Sequence, residues 1–216
     1  MLKVGIIGVG SMGTQHFLRL MNKIHGATVT AVSDINEAHA KEVIAPYPTV
    51  RFIADPITLI NDPEVDAVVI VSIDSTHEEY CLEAIKCGKY IFCEKPLATT
   101  LEDAKKVVEA EKASGKRLLQ IGFMRRFDPD YIKMKKILDS GELGAPLMAH
   151  CISRTRSHPK NHTTEQHITN IAIHEIDICR WLLGENLNEV AVRFPRATCF
   201  AEGTCQDPQL VLMQSD

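Results

Sequence analysis

A glycine-rich turn, GVGSMG at residues 8–13, constrains the fold of this chain more than any other feature. It has the pattern G-x-G-x-x-G, follows the apolar run Leu2–Val9 and opens the helical pattern Ser11–Ile24. In that context the first glycine permits a tight turn, the second admits a pyrophosphate, and the third allows close helix–strand packing. We therefore predict a dinucleotide-binding βαβ unit, the alternative being a tight turn without a ligand. The residues expected at the cofactor are Gly8, Gly10, Ser11, Met12 and Gly13.

The type of dinucleotide is indicated by the end of the next predicted strand. Asp34 closes the run Ala27–Asp34, about twenty residues beyond the glycines, where a carboxylate bonds the adenosine ribose hydroxyls. That carboxylate would repel a 2′-phosphate, and Ile35 beside it supplies no cation. The sequence therefore favours NAD over NADP, with Asp34 and Ile35 as further cofactor-binding candidates.

The remainder of the first half alternates short apolar runs with helical patterns. Such alternation predicts βαβ units and a doubly wound parallel sheet, so residues 1–123 are expected to form a Rossmann domain. The continuous apolar character of Val65–Ser72 predicts a strand covered on both faces. The predicted strands are residues 2–9, 27–34, 50–55, 65–72, 90–95 and 117–123, and the predicted helices are residues 11–24, 36–45, 76–88 and 101–115.

The alternation of strand and helix patterns ends after residue 123. Residues 124–216 are expected to form a partial α+β domain with a mostly antiparallel sheet. The pattern predicts a helix with proline near its start at residues 128–144 and a second helix from Ile168. Strands are predicted at residues 146–156, 187–195, 197–204 and from 210 onward. Because the chain stops as a strand begins, we expect either a fragment of a longer protein or a sheet completed by partner chains.

The second of these helices, ITNIAIHEIDICRW, carries a polar stripe among isoleucines. On an α-helix, Asn170, His174 and Asp177 share one face, and the apolar remainder predicts burial. Buried polar groups need partners, which are either other protein groups or a polar substrate. The pattern alone leaves both open.

Composition excludes several classes of function. The net charge is −4 and there is no basic run, which argues against nucleic acid or an anionic membrane as the main partner. The sequence contains no long apolar segment, and MLKVGIIGVG is too short for a signal peptide and lacks a basic region with a cleavage site, so we expect none. The seven cysteines are scattered and form no CxxC pair, which predicts a reduced, cytoplasmic protein without a structural zinc.

Further candidates lie where predicted parallel strands end, because open sheets bind ligands at that edge. They are the Ser72–His77 loop, Glu94-Lys95-Pro96 and Met124-Arg125-Arg126. A lysine after a strand is commonly solvated, but Lys95 stands between a carboxylate and a proline that restricts the turn. We therefore interpret Lys95 as positioned for chemistry.

Together, GVGSMG, FCEKPLATT, IGFMRRFDPDY and IHEID resemble the Gfo/Idh/MocA oxidoreductases, most closely the inositol 2-dehydrogenase branch. The resemblance implies a Rossmann domain that binds NAD(P) and a second domain that covers the nicotinamide and forms tetramer interfaces. It also implies a cyclic polyol or sugar as substrate and a homotetramer.

The resemblance implies specific roles for the candidate residues. Lys95 would be catalytic and would also contact the cofactor. His174 would be the acid/base on the substrate hydroxyl, a step that suits an imidazole near neutral pH. Arg125 and Asp177 would line the polyol pocket. Ser72, His77 and Glu94 would contact the cofactor or shape its pocket. No metal is required.

Two positions depart from the family pattern, and both lie on the substrate side. Asn170 occupies the position of the usual catalytic carboxylate, four residues before the histidine. An amide can still bond the substrate or His174, but it cannot raise the pKa of a histidine as a carboxylate does. Ser153 stands where the inositol branch tends to carry histidine, so we expect it at the substrate.

Three hypotheses remain open from the sequence. The first is an NAD-dependent dehydrogenase of inositols or related polyols and sugars. The second is a family member that acts on another hexose, sugar acid or sugar nucleotide. The third is a non-catalytic NAD-binding paralogue, which Asn170 and the short chain favour and the retention of Lys95 and His174 opposes.

Overall fold

A computed structural model describes residues 1–155, 162–196 and 205–215 of the chain. The chain forms two compact units, Met1–Gly122 and Phe123–Asp216. The boundary expected from the sequence lies after residue 123.

The first unit is built on a six-stranded parallel sheet with the strand order β3-β2-β1-β4-β5-β6. The strands are β1 (Leu2–Ile7), β2 (Ala27–Ser33), β3 (Arg51–Phe52), β4 (Ala67–Ile70), β5 (Tyr90–Cys93) and β6 (Leu119–Ile121). The order reverses between β1 and β4, which is the point at which doubly wound sheets bind ligands. The predicted Rossmann architecture is confirmed.

Five helices connect these strands, and they cover both faces of the sheet. They are α1 (Ser11–Asn22), α2 (Glu37–Ile44), α3 (Pro56–Asn61), α4 (His77–Lys86) and α5 (Leu101–Ala113). All four residues of β4 are buried, and alternate residues enter two separate apolar clusters. Val68 and Ile70 belong to one cluster, and Ala67 and Val69 to the other. The prediction that this strand is covered on both faces is therefore confirmed.

Helix α3 is absent from the sequence-based prediction, which extends the third strand through Asp55. Asp55 is instead the N-cap of α3, because its carboxylate accepts hydrogen bonds from the backbone N–H groups of Ile57 and Thr58. Pro56 occupies the first turn, where its missing N–H costs nothing. The pair Asp-Pro is thus a helix start, and β3 is only two residues long.

The described residues of the second unit include two α-helices and a short antiparallel sheet. Helix α6 (Pro129–Asp139) begins at the N-cap Asp128, whose side chain accepts from two backbone N–H groups, and has the predicted proline in its first turn. Helix α7 (Ile173–Leu183) precedes β7 (Glu189–Arg193), which pairs with β8 (Leu210–Gln214). The α+β class with an antiparallel sheet is confirmed for this unit.

The strand predicted at residues 146–156 is wrong for its described part. Residues 146–155 form neither helix nor strand, and Leu147 and Met148 are 95% and 87% exposed. An alternating pattern reports only the capacity to bury one face, whereas a strand also requires a neighbouring backbone to bond. The strand predicted at residues 197–204 lies outside the described residues.

The helix predicted from Ile168 also differs in its first turns. Residues His167–Ala172 form a π-helical segment with i→i+5 hydrogen bonds, and the α-helix begins only at Ile173. π-Helical turns are rare in proteins, but those that occur are frequently found at functional sites. The predicted burial all round is wrong, because most of the isoleucines are half-buried and only Glu175, Asp177 and Ile178 are buried.

Three further features concern the described residues only. No described helix is both long and apolar enough to cross a membrane. The described residues contain no group of three His, Cys, Asp or Glu side chains placed to hold a metal ion. The described cysteines are free thiols, namely Cys81, Cys87, Cys93, Cys151, Cys179 and Cys205.

Candidate functional site

The turn between β1 and α1 requires glycine at two of its three glycine positions. Gly8 has φ +88°, and a Cβ there would lie 2.6 Å from the carbonyl oxygen of Val71. A Cβ on Gly13 would lie 1.9 Å from the carbonyl oxygen of Gly8. These two glycines therefore let the chain reverse and let α1 pack directly on the turn.

Gly10 has a different environment. A Cβ on Gly10 would meet no atom within 4 Å, and Gly10, Ser11 and Met12 are exposed. The absent side chain leaves open space in front of the backbone at the N-terminus of α1. Unpaired N–H groups and the positive end of the helix dipole favour a phosphate at that position. The turn therefore fits a pyrophosphate.

The backbone N–H and carbonyl groups of Val9 make three hydrogen bonds to side chains within this turn. Its N–H donates to Asp34 Oδ2 at 2.7 Å. Its carbonyl oxygen accepts from the Thr14 hydroxyl at 2.6 Å and from His39 Nε2 at 3.1 Å. A carbonyl can only accept, so Nε2 of His39 carries a proton. Thr14 and His39 support the turn but lack any sequence signal of their own, because the contacts arise from the packing of α1 and α2.

Asp34 follows β2 and faces the same turn. Its second oxygen, Oδ1, accepts from the backbone N–H of Asn36 at 2.8 Å. An ionised carboxylate has about four acceptor positions, so both oxygens can still accept bonds from ribose hydroxyls. Ile35, the next residue, is fully exposed. This pair fits the adenosine end of NAD.

The loop after β4 is organised by His77, which is 1% exposed. His77 Nδ1 lies 2.7 Å from the carbonyl oxygen of Pro96, and Nε2 lies 3.2 Å from that of Ser72. The Ser72 hydroxyl lies 2.7 Å from that of Thr76. His77 therefore joins the loop after β4 to the turn after β5. In this structure it holds the two loops together, and contact with a cofactor stays a prediction for Ser72 and His77.

The turn after β5 contains a half-buried carboxylate that pairs with α1. Glu94 Oε1 accepts from His16 Nε2 at 2.8 Å, and Oε2 accepts from the backbone N–H of Lys95 at 3.3 Å. Burial alone would raise the pKa of Glu94, but the hydrogen bond and charge of His16 and the N–H and charge of Lys95 lower it below its usual value. Glu94 is therefore ionised at neutral pH, and Lys95 follows it, half-buried, at the carboxyl edge of the sheet.

Within the second unit, two arginines pair with two acids of α7. Arg125 Nη2 lies 2.6 Å from Glu175 Oε1, and the Arg126 guanidinium binds both carboxylate oxygens of Asp177, with Nε at 2.8 Å from Oδ2. Both acids are 8% exposed. The structure thus brings Asp177 to Arg126 rather than to Arg125. Glu175 lies outside the Asn170–His174–Asp177 spacing, so the polar stripe in the sequence did not indicate it.

The other substrate-side candidates are more accessible. Asn170 lies in the π-helical segment and His174 in the first turn of α7, and both are half-buried. Ser153 is exposed on residues 146–155. Their roles at a substrate stay predictions.

Two family profiles match the chain. Residues 2–123 match the N-terminal profile, described as an oxidoreductase family with an NAD-binding Rossmann fold. Residues 131–216 match the C-terminal domain of the GFO/IDH/MocA family. Together they cover most of the chain.

Individual relatives agree with these matches. The chain is 46% identical to an inositol 2-dehydrogenase of Klebsiella pneumoniae and 46% identical to one of Paracoccus denitrificans, each over 99% of this chain. It spans 64% of the length of these curated relatives. It is also similar to the crystal structure of a Lactobacillus casei myo-inositol dehydrogenase with NAD(H) and myo-inositol, with a TM-score of 0.94 and 38% identity. That likeness covers 100% of this chain and 64% of the other.

Proposed function

Because the chain belongs to the Gfo/Idh/MocA oxidoreductase family, we propose that it takes part in NAD-dependent oxidation of a secondary alcohol on an inositol-like polyol or a sugar. The observation that carries the proposal is the contact of His16 with Glu94 at 2.8 Å. It ties the helix that follows the glycine turn to the turn that presents Lys95. A cofactor cradle and a candidate catalytic lysine thus share one edge of one sheet.

The first unit would hold NAD through the groups already described. The backbone at Gly10 and Ser11 would receive the pyrophosphate, and Asp34 the adenosine ribose. Asp34 would repel a 2′-phosphate, which supports NAD rather than NADP. Bound NAD supplies the hydride acceptor, and the protein supplies binding and orientation.

The remaining chemistry is assigned to side chains of this chain. Oxidation of a carbinol removes a proton from oxygen while hydride leaves carbon. We assign acceptance of that proton to the imidazole of His174, since histidine is suited to proton transfer near neutral pH. We assign stabilisation of the negative charge that develops on oxygen to the Lys95 ammonium. Arg125, Ser153 and Asp177 are proposed to act at the substrate, with Asp177 held by Arg126.

Asn170 is the residue that most affects the expected rate. Its amide can bond the substrate or His174, but it carries no charge to stabilise an imidazolium. We therefore expect slower turnover, or a different preferred substrate, than a carboxylate would give at this position. This feature also favours the non-catalytic alternative, a protein that binds NAD without turning over.

The test is NAD reduction by this chain with myo-, scyllo- and chiro-inositol, glucose and galactose. Three variants accompany it, namely Lys95→Ala, His174→Ala and Asn170→Asp. We expect turnover with at least one compound, faster turnover in Asn170→Asp, and loss of turnover in Lys95→Ala with NAD binding retained. Turnover with a sugar but no inositol would move the substrate within the family. NAD binding without turnover in any variant would favour the non-catalytic candidate.

Location and assembly are part of the proposal. The scattered cysteines support a cytoplasmic protein, and the family supports a homotetramer. Light scattering on the purified chain tests the assembly. A particle of four times the 24.1 kDa chain mass is expected, and a monomer would refute it for this chain.

A further inference from the structure

The His16–Glu94 pair has features of a positioning device for the lysine turn. His16 lies on α1, the helix that opens at the glycine turn, and Glu94 directly follows β5. Their side chains are only 19% and 18% exposed, so solvent weakens the contact less than at an open surface. The imidazole ring is itself fixed by an edge contact with Phe92, at 5.4 Å between ring centroids.

The carboxylate of Glu94 is also constrained from its other sides. The backbone N–H of Glu94 donates to the carbonyl oxygen of Ile70 at 2.9 Å, which continues the β4–β5 hydrogen-bond ladder beyond the end of β5. Oε2 accepts from the N–H of Lys95. Gly122 makes room for it, since a Cβ there would lie 2.9 Å from Oε2. His16 therefore completes an enclosure that gives this carboxylate one orientation.

We propose that His16 is a positioning residue: by holding Glu94 it fixes the backbone of the turn from which Lys95 projects. The inference rests on the proposed function of Lys95. Both oxygens of Glu94 act as acceptors: Oε1 accepts from the His16 imidazole, and Oε2 accepts from the Lys95 N–H. Without His16 the carboxylate loses its side-chain partner and becomes free to rotate, and the Lys95 N–H loses a fixed acceptor.

The consequence for catalysis is specific. A displacement of about 1 Å at a catalytic group costs on the order of a hundredfold in rate. The pyrophosphate and adenosine ribose are assigned to the glycine turn and Asp34, whose hydrogen bonds do not involve Glu94, and the Glu94 carboxylate itself is retained in a His16 variant. Most of the NAD affinity should therefore remain. Loss of His16 should therefore lower kcat while KM for NAD stays nearly constant.

The test compares four versions of this chain, namely wild type, His16→Ala, His16→Gln and His25→Gln. The glutamine amide nitrogen reaches roughly where Nε2 of histidine lies and can donate to Glu94. His25 is exposed and serves as the matched control. We expect kcat of His16→Ala to fall about ten- to a hundredfold, with KM for NAD changed less than about threefold. His16→Gln should recover most of the rate, and His25→Gln should match wild type. Equal kcat in wild type and His16→Ala, or no recovery in His16→Gln, would overturn the proposal.

A second measurement does not require turnover. Carbon-13 NMR of the Glu94 carboxyl reports its titration in each protein. We expect the pKa of Glu94 to rise in His16→Ala, because the hydrogen bond and charge of His16 hold it down, and to return towards wild type in His16→Gln. If no polyol is oxidised by wild type, the proposed function fails, and the NMR result alone decides whether His16 holds Glu94. An unchanged pKa in His16→Ala would then refute the inference.

Discussion

Alanine at Gly10 and alanine at Gly13 should affect different properties of the protein, although the two glycines belong to one turn. The Cβ of Gly10→Ala would meet nothing within 4 Å, whereas the Cβ of Gly13→Ala would lie 1.9 Å from the carbonyl oxygen of Gly8. The first change fills the space assigned to a pyrophosphate. The second pushes helix α1 away from the turn that follows β1. We therefore expect the first to damage binding and the second to damage stability.

The magnitudes follow from these contacts. Real Cβ contacts essentially never fall below 3.0 Å, so Gly13→Ala must move backbone by about 1 Å. Overpacking of this kind costs about 1–3 kcal/mol, which lowers Tm by roughly 2–12 °C in a protein of this size. Gly10→Ala should change the free energy of unfolding by less than about 0.5 kcal/mol. The methyl group should weaken NAD binding by at least about tenfold, or 1.4 kcal/mol.

Calorimetry can measure both quantities on the same protein samples. Thermal scans give the Tm of each variant, and titration with NAD at constant temperature gives the Kd. Wild-type affinity in Gly10→Ala would refute the assignment of the open space to the pyrophosphate. A wild-type Tm in Gly13→Ala would refute the packing argument.

Three further predictions concern charges. Arg126→Ala leaves buried Asp177 without its bidentate partner and should lower the free energy of unfolding by about 1–3 kcal/mol. Urea unfolding measures this change, and an unchanged unfolding midpoint would contradict the prediction. The pKa of Glu94 is lowered in the folded protein, so the stabilisation from its ionised form is present above the ordinary pKa of 4.5 and is lost as the pH falls through the folded pKa. Glu94→Gln should remove this part of the acid destabilisation, measured in thermal melts below pH about 5. Asp34→Ala should weaken NAD binding, and adding Ile35→Arg should shift preference towards NADP, whereas an unchanged ratio of Kd values would count against the assignment.

The architecture of the first unit was predictable because its signals are local. Periodicity gave the strands, the glycine pattern gave the turn, and the apolar run around Val68 gave burial on both faces. The helix Pro56–Asn61 was missed because Asp55 suits both a strand end and a helix cap. Only the hydrogen bonds of its carboxylate distinguish the two.

The candidate site was predictable where a motif carries a fixed geometry and unpredictable where partners come from distant elements. Asp34 could be placed from its spacing to the glycines. His16 and Glu94 are separated by 78 positions, and Arg126 and Asp177 by 51, so neither pair has a sequence signature. The π-helical turn at Asn170 has no pattern of its own either, because apolar spacing does not separate it from an α-helix.

The measurement that tests the central claim most directly is the fate of the carbinol hydrogen. Myo-inositol, or whichever polyol proves active, is prepared with deuterium on the reacting carbon and incubated with NAD and the protein. Hydride transfer from the polyol predicts NADH that carries one deuterium, detected by mass spectrometry, and no NADH when Lys95 is replaced by alanine. Unlabelled NADH, or no NADH from any polyol although NAD binds, would contradict hydride transfer by this protein.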